Sequence, residues 1–185
     1  LKYLNGRKTM MLDSIAIKNL ELTKTLYEGK KRGSLLWLLD KTQTGMGARL
    51  LTNLILNPLN SREEICFRLD GVEELFKATV IRIGIAETLK GIRDIERIAG
   101  KISNNNLTPR DCENLALSLA IVPSLKFQLT GFSSPVLMKI VSELHELSEI
   151  RDLLKATIVE NAPVAVKDGG FIREGYNKDL DEFRR

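Results

Sequence analysis

Between residues 35 and 75 the chain reads LLWLLDKTQTGMGARLLTNLILNPLNSREEICFRLDGVEEL, two helix-period apolar patterns joined through a tight Thr-Gly turn. This stretch constrains the fold more than any other, because apolar spacing and helix punctuation agree in it. Ser34 can cap a short helix over residues 35–39. Thr44-Gly45-Met46-Gly47 opens a second, whose Met46, Leu50, Leu51, Leu54 and Ile55 repeat at i, i+4, i+5, i+8 and i+9. It ends before Pro58, which disfavours helical backbone at Asn57. Ser61-Arg62-Glu63-Glu64 is a capping box in which the Ser61 hydroxyl accepts from the Glu64 amide and the Glu64 carboxylate reaches back. Ile65, Leu69, Val72 and Phe76 then line one helical face.

The remaining punctuation also marks helix starts. Residues 9–12 are short and apolar, an expected edge strand, and Asp13 can cap a helix running to Leu20. Residues 28–33 read as an exposed turn. Val80, Ile83 and Leu89 share one side of a helical region that Gly84 and Gly91 should break. Asp94-Ile95-Glu96-Arg97-Ile98 follows, then the polar loop 103–106. Thr108 as cap, Pro109 at the first helical position and Asp111 at the third start a helix of about 20 residues to Leu129, kinked at Pro123 unless packing compensates. Ser134-Pro135 repeats the cap-then-proline device, and Leu137, Ile140, Leu144 and Leu147 form a seam before a break near Ser148. Ile150, Leu153, Leu154 and Ile158 extend the apolar face. Beyond Pro163, residues 164–166 and 171–173 flank Asp168-Gly169-Gly170, which predicts a small two-stranded hairpin.

These elements predict a mainly α, all-α class fold: a multi-helix, bundle-like domain with a small C-terminal β-hairpin and a short N-terminal edge strand. A length of 185 residues suits one such domain, burying roughly 70% of its unfolded surface, or two small domains sharing a core, and one α-rich unit is the expectation. We divide it into an opening strand and helix (1–33), a helical body (34–160), and the hairpin with a helix barely begun (161–185). A start at Leu1 and a stop just after the Asn177 cap read as an excised piece of a longer protein.

Composition excludes little: 28% charged and 43% apolar residues describe an ordinary soluble chain, and a net charge of +4 is only mildly basic. Arg7/Lys8, Lys30-Lys31-Arg32 and Arg184/Arg185 read as solvated loops. Cys66 and Cys112 are too few and too far apart for a disulfide framework or zinc site, and read as small buried hydrophobes of a reduced, cytoplasmic protein. No apolar run nears the ~20 residues of a membrane span, and no leader opens the chain.

Chemistry is sparse. Neither GxxxxGK[ST] nor GxGxxG occurs, so neither common phosphate cradle can form. His145, the only histidine, reads as a surface or partly packed side chain. Neither cysteine has a setting that clearly favours a thiolate, although Cys112 lies in a first helical turn. Glu63/Glu64 and Glu73/Glu74 diverge around a helix, while Asp94 and Arg97 can pair across a turn. Trp37 reads as a packing residue among leucines, and Tyr3, Tyr27 and Tyr176 are too scattered for a base-stacking platform. No catalytic, cofactor-binding or metal-binding residue is assigned.

Several segments in order resemble the central lever region, domain III, of the bacterial MutS mismatch-repair family. They are Met11-Leu12-Asp13 with Asn19-Leu20-Glu21-Leu22; Leu38-Leu39-Asp40-Lys41-Thr42, Thr44, Met46-Gly47, Arg49-Leu50-Leu51 and Asn57-Pro58-Leu59; Ile65, Arg68-Leu69 and Val72-Glu73; Asp94-Ile95-Glu96-Arg97; and Asp168-Gly169-Gly170 with Gly175-Tyr176. Gly45 departs from the family's usual proline. The resemblance implies a helical lever between an ATPase domain and a DNA-binding clamp, both outside this chain, as is the mismatch-reading domain. It further implies that ATP and magnesium belong to the parent protein, and that the parent partners mismatched duplex DNA, a second copy of itself and a MutL-like repair protein. The piece itself is then no enzyme. The Thr44–Gly47 turn and Gly84 and Gly91 are candidate hinges, with simple turns as the alternative. A stand-alone helical interaction scaffold and a weak basic DNA-binding domain remain open as alternatives.

Overall fold

The computed structural model describes residues 9–184, so Tyr3, the Arg7/Lys8 pair and Arg185 lie outside the described residues. The chain divides into two units, one of Leu1–Ile83 with Phe132–Ile140, the other of Gly84–Gly131 with Val141–Arg185. Regular structure among the described residues is helical, as the apolar spacing predicts.

In the first unit, helices start where short polar side chains satisfy their free amides. Asp13 Oδ1 accepts from the Ala16 amide at 2.6 Å to begin α1 (Ser14–Asn19). Ser34, nearly inaccessible, accepts from Trp37 N at 3.3 Å and donates to the Lys31 carbonyl at 2.7 Å, beginning α2 (Leu35–Leu39). The first two amides of α2 donate to the Glu21 and Leu22 carbonyls at 3.0 and 2.9 Å. Thr44 caps α3 (Gly45–Leu56) through the Gly47 amide, and α3 ends at Asn57 ahead of Pro58. Ser61 caps α4 (Arg62–Lys77), accepting from Glu64 N at 3.3 Å while donating to Glu63 Oε2 at 2.6 Å. α2 packs on α3. Among the described residues the buried apolar side chains of this unit are Leu22, Leu36 and Leu137, the last supplied by α8 (Pro135–Glu143). The expected edge strand reduces to one antiparallel bridge, Thr9 to Leu59, with Met10 N donating to Pro58 O at 2.7 Å. The Asp13 cap turns the chain into α1 too soon for a ladder to grow.

In the second unit the spine is α7 (Pro109–Leu129), whose Ala116, Leu119, Val122, Leu125 and Leu129 are buried along one side. α6 (Ile95–Ser103) and α9 (Ser148–Thr157) pack on it. Pro123 sits inside α7 without ending it, in line with compensation by packing. The expected break at Gly84 does not occur: α5 (Thr79–Lys90) runs through it and stops at Gly91. Thr88 Oγ1 donates to the Gly84 carbonyl, and Gln128 Nε2 to Thr88 Oγ1, both at 3.0 Å. Gly91 is a close-approach position instead, since a Cβ there would lie 2.5 Å from Ile121 Cδ1.

Two further expectations need correction. The seam 137–147 is not one face, because α8 ends at Glu143 and Leu147 takes a left-handed φ of 46° before α9. The hairpin does not form either. Residues Val166–Asp168 make a single 3-10 turn, and Ile172 pairs with Ile158 at the end of α9, with Val159 N to Phe171 O at 3.1 Å and Arg173 N to Thr157 O at 2.7 Å. Asp168-Gly169-Gly170 does supply positive φ, 66° and 67° at the two glycines. An isolated two-residue ribbon is marginal, whereas pairing with Ile158 draws on a residue already buried in this unit. α10 (Lys178–Phe183) begins under the Asn177 cap, as its sequence predicts.

Candidate functional site

None of the groups weighed for chemistry is assembled into a reacting cluster. His145 is exposed. Cys66 is also exposed, against the expectation of burial, because it lies off the Gly71 side of α4 that meets α8. Cys112 is half-buried, and burial together with the Asp111 carboxylate pushes its thiol above the ordinary value, away from thiolate chemistry. Among the described residues no group of three or more His, Cys, Asp or Glu side chains is arranged to hold a metal ion. No helix there is long and apolar enough to cross a membrane.

The paired carboxylates diverge as their adjacency requires. Glu63 turns to Ser61, Glu73 to Lys77 at 2.5 Å, and Glu74 to the start of α8. Asp94 pairs with Arg97 Nε at 3.4 Å and also caps α6 through the Arg97 amide at 3.2 Å, so it is a helix-start residue as well as an ion-pair partner. Trp37 is not core: a five-residue helix presents one inward position, and Leu36 takes it. Tyr27 is almost wholly exposed and Tyr176 about half. Within the basic turn, Lys30 pairs with Glu28 at 2.9 Å and Lys31 with Asp40 at 2.6 Å, leaving less net charge than the sequence suggests. Hydrogen bonds from Lys31 and Thr42 hold the Asp40 carboxyl down at about 2.

What the structure does assemble is a set of long-range side-chain grips on backbone. Glu74, on α4, accepts from Ser133 N at 2.7 Å and Ser133 Oγ at 3.0 Å through Oε1, and from Ser134 N at 2.8 Å through Oε2. The Ser134 hydroxyl beside it, with the Ser133 and Ser134 amides, holds the Glu74 carboxyl at about 2. In the other unit, Glu113 accepts from Asn161 N at 2.6 Å and Ala162 N at 3.0 Å, while Arg110 Nε donates to the Ala162 carbonyl at 2.9 Å. Two residues on one turn of α7 thus satisfy both main-chain groups of a fully buried alanine. Beside them Lys101 Nζ reaches both Asp111 oxygens at 2.8 Å, and Thr108 and Asp111 complete a capping box. Burial works against the Asp111 charge, but the bonds from Lys101 and Thr108 keep its carboxyl below the ordinary value. Ser118, wholly buried, accepts from Arg93 N at 2.9 Å and donates to Asn114 O at 2.7 Å.

The second feature is an apolar stripe left uncovered. Ile65, Leu69, Val72 and Phe76 share a face of α4 as expected, and Val80 and Ile83 on the separate helix α5 are exposed as well. All six are exposed, Phe76 at 72% and Val80 at 84%. A monomeric surface rarely carries so regular an apolar row.

The family model for MutS domain III matches residues 15–184. The chain belongs to the MutS domain III family. Relatives described as DNA mismatch repair protein MutS include those of Clostridium beijerinckii, 43% identical over 176 residues, and Lachnoclostridium phytofermentans, 42% identical over 176 residues. Each of these matches covers 95% of this chain and 19% of the relative. The Brevibacillus brevis protein is 40% identical over 182 residues, covering 98% of this chain and 21% of the relative. The chain therefore spans about a fifth of the MutS relatives it matches. Glu74, Arg110, Glu113 and Ser118 carried no functional signal in the sequence, since each finds its partner only in the fold.

Proposed function

We propose that this MutS domain III chain is the helical lever of a longer mismatch-repair protein. It carries motion between a nucleotide-binding ATPase domain and a DNA-binding clamp. The observation that carries the reading is the match to MutS domain III over residues 15–184 of a chain whose described residues are mainly helical. Packed helices move as rigid bodies, so a small shift at one end becomes a larger displacement at the other while a few joints absorb the dihedral change. On this reading residues 1–33 open the lever, 34–160 form its helical body and 161–185 lead towards the clamp. ATP and magnesium act in the parent protein, this portion has no turnover of its own, and the assembly works in the cytoplasm. Mismatched duplex DNA, a second copy of the parent and a MutL-like protein are its partners. The Thr44–Gly47 turn and Gly91, where α5 stops, are the proposed joints, while Gly84 lies inside α5.

The Lys30–Glu28 and Lys31–Asp40 ion pairs count against an independent basic DNA-binding surface. Titrating the 185-residue chain with labelled mismatched duplex at low and moderate salt separates the two readings. A lever portion gives weak binding or none. Sub-micromolar binding that falls steeply with salt would transfer the function to the chain itself.

A further inference from the structure

α2 has five residues, too few to stay wound by its own ladder, and of these Leu36 alone is buried. Lys31, just ahead of it, meets both of its ends. At the start, the Lys31 carbonyl accepts from the Ser34 amide at 3.1 Å and the Ser34 hydroxyl at 2.7 Å. At the finish, the Lys31 ammonium donates to Asp40 Oδ2 at 2.6 Å, and the Asp40 amide closes the last turn on the Leu36 carbonyl at 2.9 Å. Asp40 Oδ1 reaches onward, accepting from the Thr42 amide at 3.2 Å and the Thr42 hydroxyl at 2.7 Å. Thr42 in turn stands beside the opening of α3, where a Cβ on residue 47 would lie 3.4 Å from Thr42 Cβ and 3.1 Å from Thr44 Oγ1. Lys31, Asp40, Thr42 and Gly47 thus form one line of contacts, all within the first unit.

We infer that Asp40 is a positioning residue and Lys31 its removable brace, and that the two make the Thr44–Gly47 turn a latched joint rather than a free one. The start of α2 is anchored a second time, since its first two amides donate to the Glu21 and Leu22 carbonyls, so the finish is where a brace has most to hold. An isolated surface ion pair contributes little, but here one carboxylate accepts three bonds, two from Thr42 and one from a cation. The Asp40 side chain is 15% exposed and that of Lys31 52%. The carboxylate is therefore the fixed half of the latch, and the ammonium is the half that salt or a competing anion can draw away. Without the brace the end of α2 frays, Asp40 loses its orientation, and the loop into α3 gains freedom. The mechanical importance of the latch rests on the lever reading above, but the latch itself can be tested without it.

The test uses the 185-residue chain and amide hydrogen exchange at Asp40, Thr42 and Gly47, with amides in the middle of α4 as the control for wider unfolding. Trp37, the sole tryptophan, lies on α2 and adds an optical readout through acrylamide quenching. Lys31→Met, which removes the charge and keeps the side-chain length, should speed exchange at Asp40 and Gly47 roughly threefold and make Trp37 easier to quench. Lys31→Arg should restore both. Asp40→Ala should speed Thr42 and Gly47 roughly tenfold or more, although Thr44 Oγ1, the acceptor for the Gly47 amide at 3.0 Å, is untouched. Thr42→Val should speed Gly47 while the Asp40 amide stays protected, a split that general loosening would not give. Added salt should act on the unsubstituted chain as Lys31→Met does and leave the Lys31→Met chain unchanged. Lys31→Met carries the test if Asp40→Ala fails to fold. Unchanged exchange at Gly47 in Lys31→Met, or an equal acceleration in the middle of α4, would overturn the inference. Loss of coupling between nucleotide and DNA in the longer protein is a separate readout, so the lever reading can fail while this one stands.

Discussion

Replacing Glu113 by alanine would remove the grip on the 161–162 turn, and its cost can be built from the parts. The Asn161 residue is exposed, so its amide regains water and loses only the advantage of a charged acceptor, about 0.5 kcal/mol. Ala162 is wholly buried, and its stranded N–H costs about 1–3 kcal/mol. Together these give about 1.5–3.5 kcal/mol for Glu113→Ala. Glu113→Gln keeps one carbonyl acceptor and should lose about half as much. Arg110→Ala frees the Ala162 carbonyl, and because both side chains hold one residue, the double substitution should cost less than the sum of the singles. Urea unfolding followed by far-UV circular dichroism gives the energies, and hydrogen exchange at the Ala162 amide gives the local effect. The sole tryptophan, Trp37, lies in the other unit and does not report this turn directly. A Glu113→Ala loss under about 0.5 kcal/mol, or unchanged Ala162 exchange, would refute the reasoning.

The exposed stripe and the core should separate cleanly. Phe76→Ser and Val80→Ser should shift stability by no more than about 0.5 kcal/mol, whereas Leu137→Ala should cost about 2–4 kcal/mol, read from urea midpoints. Equal losses would mean that the stripe is covered in solution. Acid should also weaken the fold through two carboxylates. Glu74 and Asp40 sit at about 2 against ordinary values of 4.5 and 3.8, so each contributes fully above its ordinary value. Each contribution is lost as pH falls from there towards 2. Glu74→Gln and Asp40→Asn should each flatten the stability profile between pH 4.5 and 2, and a profile no flatter than the parent's would contradict the assignment.

The elements legible in the sequence were those whose cause is local. Asp13, Ser34, Thr44, Ser61, Thr108 and Asn177 each cap a helix within three or four residues, and all six do so in the structure, whereas the cap that Asp94 makes came only with the fold. Family resemblance was visible for the same reason, being carried by short segments in order. What was not legible depended on partners far along the chain. Glu74 and Ser133 are 59 residues apart, and Glu113 and Asn161 are 48 apart. No local pattern distinguishes these glutamates from solvated neighbours such as Glu73. The hairpin failed because Asp168-Gly169-Gly170 states that the chain turns but not which strand it will meet. Gly84 was misread because a glycine lowers helix propensity by only about 1 kcal/mol, which the flanking apolar residues and the Thr88 and Gln128 bonds outweigh.

The way α7 holds residues 161–162 bears on how such a chain can drift. Arg110 and Glu113 bind peptide groups, which every amino acid carries, so the held turn is largely indifferent to its own side chains once Asn161 can adopt its φ of 58° and residue 162 is small enough to fit. Selection should therefore fall on the two fingers more than on what they grasp, and descendants of this chain could rewrite the turn many times while the fingers stay unchanged.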